Sequence, residues 1–174
     1  MKLLIASDLH GSAYYTRLML DAFAASGADR LVLLGDILYH GPRNDLPREY
    51  APKQVAEMLN GYSDVIIAVR GNCEAEVDSL MLNFPVTPDF GVIFDGKTAL
   101  YLSHGHRDKP KMPVGSLYLT GHTHVPHDIM DDGVRLLNPG SVSIPKNNSP
   151  HSAIIYDDGI ISWYDLERAE TYSI

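Results

Sequence analysis

The sequence predicts an α/β fold in a single domain spanning residues 1–174. Three observations carry that expectation. The first half alternates short apolar runs with helical periodicity, and the second half breaks into short apolar segments separated by turn signals. No internal repeat, low-complexity tract or linker-like stretch separates the halves, so they should share one core. A chain of 174 residues suits that arrangement, because a domain of this size buries about 70% of its unfolded surface.

Residues 2–7 read as a buried strand. Ser12 can cap the helix that follows, where Tyr15, Leu18, Met19, Ala22 and Phe23 share one stripe and Gly27 stands at the stop. Residues 30–34 form the second strand, and a loop over 35–50 follows it. Pro52 opens a helix with Val55, Met58 and Leu59 on one face, closed by Gly61. Residues 64–69 are a third apolar run, as expected of a parallel strand covered on both faces. The first half is therefore βαβαβ. Beyond a short helix over 75–82, strands are expected at 92–94, 98–103, 116–120, 127–130, 134–137, 152–156 and 160–164. Asp95-Gly96, Asp132-Gly133 and Asp158-Gly159 mark turns among them.

Composition removes several classes of function. Hydrophobic residues at 45% and charged residues at 21% are those of a folded globular chain. No apolar run approaches the roughly 20 residues of a membrane span, and Ser7-Asp8-Leu9-His10 interrupts the apolar start before a signal sequence can form. A cytoplasmic chain with no membrane partner is expected. The lone Cys73 cannot form an intrachain disulfide. A net charge of −8, from 14 basic and 22 acidic side chains, disfavours long nucleic acids. Eight histidines accompany the surplus carboxylates, which turns attention to metal.

The unusual polar residues fall just after the expected strands. Asp8 and His10 follow the first, Asp36 the second, Asn72 the third, His104 and His106 the segment 98–103, and His122 and His124 the segment 116–120. The carboxyl ends of strands in an open α/β sheet line a ligand crevice, so these residues can converge. Taken singly, Asp8 and His10 suit a helix cap, and Gly35-Asp36 or Gly71-Asn72 a turn. Taken together, five strand ends carrying metal-type ligands are hard to explain by turn chemistry.

Asp8-Leu9-His10, Gly35-Asp36, Gly71-Asn72-Cys73-Glu74, His104-Gly105-His106 and Gly121-His122-Thr123-His124, in this order, resemble the calcineurin-like metallophosphoesterases. Residues 35–44 and Asn138-Pro139-Gly140-Ser141 are similar to the small bacterial and archaeal phosphodiesterase branch of that family. The resemblance implies a four-layer αββα sandwich with two divalent metal ions at the strand ends, commonly Mn²⁺ but also Fe, Zn, Ni or Co. It assigns Asp8, His10, Asp36 and His124 to one metal and Asp36, Asn72, His104 and His122 to the other. Asp36 is then the bridge, which suits a carboxylate with two oxygens. His106 and Glu74 support the site from behind, Arg43 and Asn44 contact substrate, and Asn138 to Ser141 shape a turn beneath it.

The implied activity is hydrolysis of small or aryl-activated phosphodiesters by a hydroxide bridging the two ions, with Asp36, Asn72, Cys73 and His104 as the catalytic group. Cys73 departs from the pattern, since many relatives carry a histidine there that assists the leaving group. A thiol with a reference pKa of about 8.5 is a poor acid near neutrality, so good leaving groups should be favoured, or His40 or His127 recruited as donor. Two other readings stand beside this one. A non-catalytic metal-binding interaction module, as in the retromer subunit of the same fold, is disfavoured because all seven candidate ligands are present. A phosphomonoesterase or protein phosphatase calls for more positive charge and a better proton donor. A homodimer is compatible with the sequence.

Overall fold

The structure, a computed structural model, describes residues 1–96 and 98–174. Two mixed sheets pack face to face. The first, β11-β10-β9-β1-β2-β3, is built from β1 (Lys2–Ala6), β2 (Arg30–Leu33), β3 (Ile66–Ala68), β9 (Ser152–Asp157), β10 (Ile160–Asp165) and β11 (Glu170–Tyr172). The second, β4-β5-β6-β8-β7, comprises β4 (Phe90–Asp95), β5 (Thr98–Ser103), β6 (Leu117–Leu119), β7 (His127–Asp131) and β8 (Val134–Asn138). Strand β1 runs parallel to β2, and β2 to β3, as the βαβαβ reading requires. Strands β5, β6 and β8 are likewise parallel, so the C-terminal ends of both parallel sets can open on one side.

Alternate residues of β1 and β2 face two different cores. Leu3, Ile5 and Val32 join Leu100, Leu102, Leu117, Leu119 and Leu137 in the layer between the sheets. Leu4, Ala6, Leu31 and Leu33 point the other way, into α1 (Ala13–Ser26) and α2 (Pro52–Asn60). The continuous apolar character of β1 follows from this two-sided burial. Helix α1 starts where Ser12 Oγ accepts the Tyr15 N–H, and it stops at Gly27 in the left-handed conformation with φ 66°. Helical cover is uneven. Among the described residues no helix joins the core of the second sheet, and Phe94, on its edge strand, is 73% exposed.

Three elements differ from the sequence expectation. The helix expected over 75–82 is one turn, α3 (Asp78–Met81), because Asp78 Oδ2 accepts the Ala75 N–H at 2.9 Å and folds the preceding residues into a turn. The strand expected from 64 begins at Ile66, after a 3₁₀ turn over Ser63–Val65. Strand β11, short and polar, was not anticipated; Asp165 Oδ1 accepts the Glu167 and Arg168 N–H groups and turns the chain back onto β10. Among the described residues no helix is long and apolar enough to cross a membrane.

Candidate metal centre

The cleft is assembled from strand-end turns of both sheets. Asp8, His10, Asp36, His122 and His124 all have positive φ, between 46° and 68°. Such a conformation costs a non-glycine residue about 1–2 kcal/mol and persists only where neighbours fix it. The Asp8 N–H donates to Gly35 O and the His10 N–H to Asp36 O, at 3.1 and 2.9 Å. From below, the Ser141 and Ser143 hydroxyls both donate to Asp8 O, at 2.9 and 3.1 Å. The turn containing Asn138 to Ser141 thus carries the first candidate ligand, as the sequence reading placed it. Two glycines let the turns touch: a methyl group on Gly121 would collide with Ser7 Oγ, and one on Gly71 with Asp36.

Glu74 is the buried brace. Its carboxylate accepts N–H groups from Asp36 at 2.9 Å, from Ile37 at 2.6 Å and from Gly71. Burial and the nearby Asp36 push its pKa up against those three donors. The Cys73 N–H in turn donates to Asp36 Oδ1 at 2.8 Å. Asp36 is therefore oriented by backbone on one side and has Oδ2 left for the cleft.

The histidines are aimed in the same way. Nδ1 of His10 donates to Tyr39 O, that of His104 to Leu34 O and that of His124 to Ile144 O, at 2.8, 2.7 and 2.6 Å. Because a carbonyl only accepts, each neutral ring presents a lone pair at Nε2. These lone pairs face other acceptors. Nε2 of His10 and of His124 lie 3.3 Å apart, and His124 Nε2 is 3.2 Å from Asp8 Oδ1. His104 Nε2 lies 3.1 Å from Asn72 Oδ1 and 3.4 Å from Asp36 Oδ2. Asp8 Oδ1 is buried without a hydrogen-bond partner among the described residues. Acceptors gathered in this way repel one another unless a cation or protons stand between them.

Titration reflects the same crowding. Burial opposes ionisation of Asp8, yet the imidazoles of His10 and His124 beside it hold the carboxyl well below the usual range. Asp36 is lowered too, with His104 outweighing its burial. His104 moves the other way: burial depresses it, but Asp36 and Asp8 lift it to about 9. A divalent ion bound among these groups would take them as neutral imidazole and carboxylate and displace any proton held there. The donor set of imidazole, carboxylate and amide oxygen fits Mn²⁺, Fe²⁺ or Zn²⁺.

Of the sequence candidates, Asp8, His10 and His124 form one group whose ligand atoms lie within 4.8 Å of one another, and Asp8, Asp36 and His104 form another. Asn72 and His122 line the cleft beside them, and the His122 N–H donates to Asp8 Oδ2 at 3.0 Å. The His106 ring packs near those of His104 and His122, at 5.4 and 6.3 Å between centroids, with no contact to either carboxylate. Arg43, Asn44 and Cys73 line a cavity of about 380 Å³ over this centre. Neither proposed alternative donor does: His40 packs its ring on Tyr39 and Tyr50, and His127 opens β7. Thr123, within the Gly121-to-His124 motif, and Lys146, which carries no spacing signal in the sequence, also line the cavity.

Comparisons with known proteins identify the family. Residues 1–158 match the model of the calcineurin-like phosphoesterase superfamily domain. The chain is 46% identical to the phosphodiesterase YfcE of Escherichia coli (strain K12) over 166 residues, covering 93% of this chain and 90% of that one. The solved structure of E. coli YfcE, described as a phosphoesterase, superposes with a TM-score of 0.96 at 43% identity over 99% of this chain and 97% of that one. An archaeal phosphodiesterase shares the fold, with a TM-score of 0.62 at 20% identity over 100% and 99% of the two chains. With more than nine-tenths of its length matched by the family model, the chain belongs to the calcineurin-like phosphoesterase superfamily.

Proposed function

We propose that this protein is a metal-dependent phosphodiesterase acting on small or aryl-activated diesters. The observation that carries the reading is the convergence of acceptor atoms, His10 Nε2, His124 Nε2 and the unpartnered Asp8 Oδ1, on one buried point. Similarity to the E. coli phosphodiesterase supports the substrate class. Asp8, His10, Asp36 and His124 would hold one divalent ion, and Asp36, Asn72, His104 and His122 a second, with Mn²⁺ foremost. Bound there, two such ions supply positive charge for the phosphoryl oxygens and acidify water near neutral pH.

The chain's own groups do the rest. Three backbone N–H groups on Glu74 and one on Asp36 fix the central carboxylate before substrate arrives, which removes reorganisation from the reaction. Burial, reinforced by Asp36, pushes the Cys73 thiol up. The thiol therefore releases a proton reluctantly, which leaves little help for a poor leaving group. Replacing Cys73 by His should raise turnover of an alkyl diester by about 10-fold to 100-fold more than that of an aryl diester. An unchanged alkyl-to-aryl ratio would remove Cys73 from the account.

The deciding experiment measures turnover of bis(4-nitrophenyl) phosphate and of 4-nitrophenyl phosphate with Mn²⁺, with chelator, and in Asp36→Asn. The diester should be the better substrate, and both chelator and substitution should abolish the rate. Equal rates in the variant and the parent would overturn the assignment, and a monoester preference would replace it with a phosphomonoesterase.

A further inference from the structure

The cleft has a floor and a mouth of opposite character. Asp36 and His124 lie buried at the floor, whereas Arg43 and Lys146 are exposed where the same cavity opens. Of the eleven other described lysines and arginines, six sit against carboxylates, as in Lys2–Asp157, Arg107–Asp89 and Arg135–Asp128. Among the described residues, neither Arg43 nor Lys146 has a carboxylate within 4.0 Å.

Both are set on loops anchored to the metal centre. The turn at 41–44 closes through the Asn44 N–H to Gly41 O at 3.3 Å and Asn44 Nδ2 to His40 O at 2.8 Å, and Gly41 lies close against the Cys73 sulfur. The loop bearing Lys146 is tied twice to one candidate ligand: His124 Nδ1 donates to Ile144 O, and the Lys146 N–H donates to His124 O at 3.2 Å. Asn147 and Asn148 then take left-handed φ values of 55° and 57°, and the Ser149 hydroxyl and N–H both donate to Lys146 O. Two successive left-handed non-glycine residues are uncommon and hold only in a fixed loop. The Lys146 backbone is thus positioned by the His124 turn rather than left to wander as a surface residue.

We infer that Arg43 and Lys146 form an anion clamp at the cleft mouth, selecting phosphodiesters that carry a second anionic group on one ester arm. This rests on the phosphodiesterase reading above. A diester seated at the floor sends its arms toward the opening, and a carboxylate or phosphate there meets two cations with no internal partner. Lys146 is the new specificity residue, and Arg43 lines the same cavity.

The test uses the Mn²⁺-loaded protein and three diesters with one leaving group: 4-nitrophenyl phenyl phosphate and its 3-carboxyphenyl and 3-phosphonophenyl counterparts. Binding of the matching phosphinate analogues, in which methylene groups replace both ester oxygens so that nothing can be hydrolysed, followed by calorimetry, gives a readout apart from turnover. The charged arms should improve kcat/KM and Kd by about 5-fold to 10-fold, and the preference should shrink as salt rises. Lys146→Gln and Arg43→Gln should each reduce that preference, and the double variant should bring it near unity. A carboxylate preference equal to the phosphonate one assigns the clamp to anions in general, and a phosphonate preference alone to phosphate. No preference in the parent, or one that survives the double variant, overturns the clamp; if none of the three diesters turns over, the phosphodiesterase reading itself fails.

Discussion

The first sheet sends both carboxylates of the centre into the cleft, Asp8 after β1 and Asp36 after β2, together with His10, whereas the second sends imidazoles without a carboxylate, His104 after β5 and His122 and His124 after β6. The two sides also differ in how they are backed. Helices α1 and α2 cover the outer face of the first sheet, while no described helix joins the second. Negative charge is therefore held by the more heavily packed half, and three of the four imidazoles by the lighter one. The half carrying the electrostatic strain is the one with most packing to resist it, and the centre forms only if the two halves keep their register.

That contrast can be broken at graded cost. Removing the charge at its centre should do most: Asp36→Asn should lower diester turnover by about 1,000-fold and reduce bound Mn²⁺, read by metal analysis, with the fold intact by circular dichroism. Next is the seam itself. Gly121→Ala drives a methyl into Ser7 Oγ and Asp8, so thermal melting should register a loss of about 2–3 kcal/mol with metal affinity falling in step. Unchanged metal affinity would mean that the seam does not set the site. On the first-sheet side, Glu74→Gln keeps shape but turns an amide toward a backbone N–H; stability should drop by about 1–3 kcal/mol and turnover by about 10-fold to 100-fold. The smallest effect belongs to the bare second face, where Phe94→Ser should shift stability by no more than about 0.5 kcal/mol and leave turnover alone.

Much of this was legible in the residues. The continuous apolar run of β1, the Ser12 and Gly27 punctuation of α1 and the Asp-Gly turns of the second half each express a local rule that the tertiary fold does not override. The candidate ligands were legible because each falls within a few residues of a strand end. Strand β11 was not, since a polar three-residue strand has no periodicity and exists only because Asp165 turns the chain back. Lys146 escaped for a related reason: its place depends on a long-range pair of bonds to His124, and nothing near it in sequence announces them. His40 and His127, suggested as proton donors, lie outside the lining of the cavity, and the His40 ring packs on Tyr39 and Tyr50, contacts that no local pattern announces.

The carbonyls that steady the imidazoles come from three separate places, Tyr39, Leu34 and Ile144. None of these supports depends on what the rings later hold. The ring orientations are thus set by the fold itself, before any ion arrives.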